Sequence, residues 1–207
     1  MTIRVWIKFF LTLLVIGAVT TVVTSFIVST HVYAPFLDPF NAWELLGVIL
    51  WYSGYGLVYS VIAQMGFFAY LTLHQFGKGF FGYFWKHAQV ILILFTLFEL
   101  VYLRYHQDAG PEGLWPYFIA PVLLSVFAYA IAKIKARETH PRAFLPALFF
   151  MIVVTTIEWI PTLRTGDPEW LVLMVVPLLA CNTYQLLKLH RIVGFTNPED
   201  AGTNQKA

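Results

Sequence analysis

Charge is scarce in these 207 residues: Asp, Glu, Lys and Arg make up 12% of them, against about 25% in a soluble domain. With 59% hydrophobic residues, the chain cannot cover its apolar surface in water, which excludes a water-facing globule. Cysteine is nearly absent. Cys181 stands alone, so no intramolecular disulfide can form, and within an apolar stretch it is expected to pack as a small hydrophobe. Catalytic signatures are missing too. There is no His-Glu-x-x-His pair, no Gly-x-Ser-x-Gly elbow and no phosphate-cradling glycine loop, so the sequence offers no metalloprotease, serine hydrolase or nucleotide-hydrolysis chemistry. His31, His74, His87, His106, His140 and His190 all fall at stretch ends or in loops. No metal or other cofactor is therefore expected. No basic run interleaved with exposed aromatics supports nucleic-acid binding.

What is present is length without charge. Six apolar stretches run over 7–29, 45–72, 87–103, 115–132, 143–160 and 170–187, each near the roughly 20 residues a bilayer-spanning helix needs. Threaded back and forth, they put Arg4, Lys8, Lys78, Lys86, Lys133, Lys135, Arg137, Arg142, Lys188, Arg191 and Lys206 on one side. Only Arg104 and Arg164 fall opposite, as do Asp38, Glu44, Asp108, Glu112, Asp167 and Glu169. Lys and Arg collect in short cytoplasmic loops. The expectation is an all-α, polytopic protein of the plasma membrane, with six transmembrane helices and both ends inside. It forms one domain over 1–194, followed by a polar, disordered tail over 195–207. The first stretch exceeds a signal-peptide core and lacks an Ala-x-Ala site, so it reads as a retained helix.

Polar residues inside the stretches are few. In the second, Ser53, Gly56, Ser60 and Gln64 are spaced 3, 4 and 4 apart and are followed by Tyr70 and His74, which sets them on one broad helix face. That face reads as intrachain packing or as a contact for a partner. Gln64 reads as the one polar residue set deep in the bilayer. The segment Gln75–Lys86 carries three glycines among aromatics and reads as a non-helical interfacial loop. Glu99 precedes Arg104, and Glu158 precedes Arg164, each near the outer end of a stretch. The two carboxylates are expected at shallow depth, in crosswise ion pairs with the arginines or reaching for water. Trp6, Trp43, Trp85, Trp115, Trp159 and Trp170 mark stretch ends, as interfacial anchors do.

Two segments carry a family likeness. Gln64-Met65-Gly66-Phe67-Phe68-Ala69-Tyr70-Leu71-Thr72-Leu73-His74-Gln75-Phe76-Gly77 and Leu97-Phe98-Glu99-Leu100-Val101-Tyr102-Leu103-Arg104-Tyr105 resemble the KinB-signalling pathway activation (KbaA) proteins of spore-forming Bacillales. Length and the multi-span layout are similar as well. The resemblance implies a non-enzymatic membrane accessory protein that activates a membrane sensor histidine kinase of the KinB type, feeding the phosphorelay for sporulation. It assigns no catalytic residue. The candidate contact or coupling residues are Ser53, Gly56, Ser60, Gln64, Tyr70, His74, Glu99, Arg104, Glu158 and Arg164. The alternative is a small-solute or lipid-binding membrane transporter or sensor, whose inverted repeats would carry helix breaks in both halves. Here the prolines within stretches lie only in the second half.

Overall fold

A computed structural model describes residues 3–38, 40–107 and 115–194. The expected tail over 195–207, with Asp108 and Glu112 of the outer group, lies outside the described residues. Helices account for nearly all of the rest: α1 (Ile3–Val28), α2 (Thr30–Leu37), α3 (Ala42–Phe81), α4 (Trp85–Gln107), α5 (Ile119–Glu138), α6 (Phe144–Phe149), α7 (Thr155–Leu163) and α8 (Pro168–Gly194). One π-helical turn, Phe150–Val154, joins α6 to α7. Among the described residues the only strand-like pairing is an isolated bridge, Leu37 to Phe40. Five helical stretches are long and apolar enough to cross a membrane: Ile3–Val28, Ala42–His106, Trp115–Glu138, Pro141–Leu163 and Pro168–Leu189.

The second of these is 65 residues long and does not run straight. At Gly82, φ is +50° and the backbone N–H closes on the Lys78 carbonyl, a conformation open to glycine and strained for other residues. The chain then doubles back. Trp85 Nε1 donates to His74 Nδ1 at 3.2 Å, and Gln89 Nε2 lies 3.4 Å from the same nitrogen, so the start of α4 lies against the end of α3. The expected loop over Gln75–Lys86 is therefore mostly helix. Gly77 does not break α3, because it is a contact point. The Trp85 indole covers it so closely that a Cβ there would overlap the ring. Each helical glycine gives up about 1 kcal/mol relative to alanine, which close packing and continued backbone hydrogen bonding offset. The reversal needs one residue, Gly82.

Packing starts from small residues. Gly17 of α1 meets Gly56 of α3, with backbone against backbone and no room for a Cβ on either. Small residues let helices approach this closely where solvent gives no drive to associate. Hydroxyls along α1 return to their own helix: Thr20 and Thr21 bond Ile16 and Gly17 carbonyls at 2.6 and 2.8 Å. This satisfies them without a partner helix. α1 also packs along α8, and α8 along α3 and α7. Leu13, Leu100, Leu163, Leu178 and Cys181 fill the space between them. A second apolar core gathers Phe149 to Val154 against Phe67, Tyr70 and Ile131.

The outside is apolar as well. Val15, Val19 and Val23 of α1, Leu50 and Met65 of α3, and Leu123 and Val126 of α5 are all exposed, a density of surface hydrophobes that marks contact with lipid or partners. Trp43 and Trp115 are exposed, as anchors would be, but Trp85 and Trp159 are not. Both belong to the core instead. Trp159 Nε1 donates to the Leu171 carbonyl at 3.0 Å, a bond that ties α7 to α8.

Candidate functional site

A cluster of buried polar side chains lies where α3, α7 and α8 meet. Thr155 and Glu158 sit three residues apart and so share a face of α7. Opposite them on α8 is Asn182, fully buried. Its Nδ2 donates to Glu158 Oε2 at 2.7 Å and to Thr155 Oγ1 at 3.0 Å. Glu158 is 6% exposed, so the expectation of a carboxylate reaching for water is not met. Its partner is an amide, not an arginine, and Arg164 is exposed. The physical reason is Gly66 on α3. Glu158 Oε1 rests against that glycine, where any Cβ would overlap it. A carboxyl group can enter the interior only where the facing helix leaves such a gap.

Several polar atoms here have no partner. Glu158 Oε1, Asn182 Oδ1, Thr156 Oγ1 and both polar atoms of Gln185 are buried and unpaired. Gln185 follows Asn182 by three residues, on the next turn of α8. Each unsatisfied group costs about 1–3 kcal/mol, and native interiors hold few of them. The π-helical turn Phe150–Val154 directly precedes Thr155. Such turns are rare and often found at functional sites.

Ser53 is half-buried and bonds within its own helix, to the Ile49 carbonyl at 2.7 Å. Gly56 faces α1. Ser60 is fully buried and accepts from Gln64 Nε2 at 3.2 Å. The spacing of four therefore makes an intrahelical bond, and Gln64 itself is buried. Tyr70 is buried too, with its hydroxyl donating to the Pro146 carbonyl at 3.1 Å. His74 accepts from Trp85, as described above. His87 does not join it there; its ring lies beside Tyr83 and Phe84. Glu99 and Arg104 are both half-buried on α4, and Arg104 lines an apolar cleft between α4, α5, α7 and α8.

Gln64 is not alone among buried polar side chains within the apolar stretches. Asn182, Gln185, Gln89 and Glu158 are buried as well. The signal for the α8 pair was present: an amide at each of two positions three apart, inside an otherwise apolar run. Among the described residues, no group of three or more His, Cys, Asp or Glu side chains is arranged to hold a metal ion. Cys181 lies near Ser60 and the Leu13 carbonyl.

Fold and core together define an all-helical bundle protein, apolar on its outer faces and organised inside by a carboxyl–amide centre. The family described as KinB-signalling pathway activation in sporulation, KbaA, matches residues 17–192, and the chain belongs to that family. It is 38% identical over 187 residues to the KinB-signaling pathway activation protein of Bacillus subtilis (strain 168), covering 88% of this chain and 94% of the relative. No solved structure matches it.

Proposed function

We propose that this chain is a non-enzymatic integral membrane protein of the plasma membrane that activates a KinB-type sensor histidine kinase, and through it the phosphorelay for sporulation. The observation that carries the reading is the relative's name and its near-complete coverage of both chains. The reversal at Gly82 supports six crossings rather than five, because the 65-residue stretch folds into two antiparallel helices. With six, the lysines and arginines fall as the cytoplasmic-side rule requires, and both ends lie inside. At 40 residues and about 1.5 Å per residue, α3 is about 60 Å long, twice a hydrocarbon core of about 30 Å. Its last turns would reach beyond the bilayer on the cytoplasmic side.

Such a protein acts by contact. It can shift the kinase between two states only by as much as it binds one better than the other. Ser60, Gln64, Tyr70 and Glu158 face inward, so their role in this reading is coupling: they set the packing of α3 against α6, α7 and α8. The kinase's own transmembrane helices would dock on the exposed apolar faces. The contact is tested by co-purifying a tagged KinB-type kinase from membranes carrying this chain. Recovery of the chain with the kinase, and not with an unrelated sensor kinase, is the expected result. Equal recovery with both would overturn direct and specific contact.

A further inference from the structure

At the α3–α4 reversal, away from the Glu158 centre, lies a cleft of about 370 Å³. Lys78 from α3, Lys86 from α4 and Arg142 from the turn before α6 all line it. Three cations from three separate elements thus converge on one concavity. No Asp or Glu is among the described residues that line it. All three residues are exposed, and no carboxylate among the described lining residues stands in the cleft wall to neutralise them. Left empty, the site holds like charges together, a repulsion that a bound anion would reverse.

The remaining wall sorts by chemistry. His74 lines the cleft, and its Nδ1 is occupied, because the Trp85 indole N–H can only donate. In the neutral ring the proton is therefore on Nε2, which makes that edge a donor. Trp85 and Leu145 add apolar surface. Cations and a neutral donor beside aromatic and aliphatic wall suit a phosphate with an apolar attachment. Basic pockets between helices near the cytoplasmic surface are typical headgroup sites.

We propose that the cleft framed by Lys78, Lys86 and Arg142 binds a phosphate-bearing anion, with an anionic phospholipid headgroup as its occupant. The proposal rests on the membrane placement and inner orientation proposed above, and not on kinase activation, since the cleft and its charges are the same whatever the partner.

The test uses the full chain purified in a neutral detergent. Dioctanoyl phosphatidylglycerol, dioctanoyl phosphatidylcholine and inorganic phosphate are titrated separately, with tryptophan fluorescence as the readout. Phosphatidylglycerol should bind saturably, and the paired change Lys86→Gln with Arg142→Gln should weaken it by about tenfold or more. The paired change Lys133→Gln with Arg137→Gln removes as much charge from the neighbouring end of α5, outside the cleft, and should change affinity less than twofold. Thermal melting without ligand confirms that both variants fold. If inorganic phosphate saturates the site with the same dependence on Lys86 and Arg142, the anion site stands and its occupant is a soluble phosphate. Equal weakening by the α5 pair would reduce the effect to diffuse surface charge and overturn the site. So would equal binding of phosphatidylcholine, or no saturable binding of either anion.

Discussion

Glu158 and Gly66 touch: one carboxylate oxygen lies where the glycine's missing side chain would be. Two residues on different helices are thereby fixed as a pair, and each constrains what the other position can hold. Gly66→Ala should lower the melting temperature of the purified protein, with a loss of about 1–3 kcal/mol from overpacking. The second half of the prediction is sharper. Adding Glu158→Ala to Gly66→Ala should restore part of that loss, because contacting residues are not additive. Additive losses would show that the two side chains do not compete for the same space.

Asn182 holds the other carboxylate oxygen. Asn182→Leu removes the only donor on Glu158 among the described residues and leaves Thr155 without that bond. A loss of about 1–3 kcal/mol is expected, read as a lower melting temperature. Asn182→Leu combined with Glu158→Leu should melt higher than Asn182→Leu alone, since the carboxyl group is then no longer stranded without its donor.

The glycines of α3 should behave in opposite ways. Gly56 meets the Gly17 carbonyl and the Ala18 backbone, so Gly56→Leu should disrupt the α1–α3 contact and reduce the amount of folded protein. Gly79 has nothing within 4 Å of a Cβ built on it, and Gly79→Ala should stabilise α3 by about 0.5–1 kcal/mol. Comparing melting temperatures of Gly79→Ala and wild type checks this directly.

Orientation is tested by labelling. In a background with Cys181→Ala, single cysteines at Asp38 and Asp167, both exposed, should react with a membrane-impermeant reagent added outside intact cells. Cysteines at Lys86 and Lys133 should react only after permeabilisation. The reverse pattern would contradict two inner termini.

Much of the architecture could be read from the chain. Long uncharged stretches can be satisfied in lipid only as helices, and the all-helical bundle follows from that. The two quoted motifs pointed to the family that the whole-chain comparison shows. The centre of the bundle was less legible. Glu158 looked shallow because its position along the chain sits near a stretch end, and sequence position does not show lateral burial. What draws it inward is Gly66 on a distant segment and Asn182 on the following helix, neither of which is its neighbour in sequence. Gly77 is ambiguous in the sequence for a similar reason. Glycine marks a helix break and a close approach with the same letter, and only the Trp85 ring above it tells which applies.

Kinase activation is most directly tested by complementation in cells. This chain, expressed in Bacillus subtilis that lacks its own KinB-signaling pathway activation protein, should restore KinB-dependent sporulation measured as heat-resistant spores. Glu158→Leu, matched to wild type for membrane abundance, should restore markedly less. Wild-type chain that is present in the membrane at normal level yet restores no sporulation would contradict the claim.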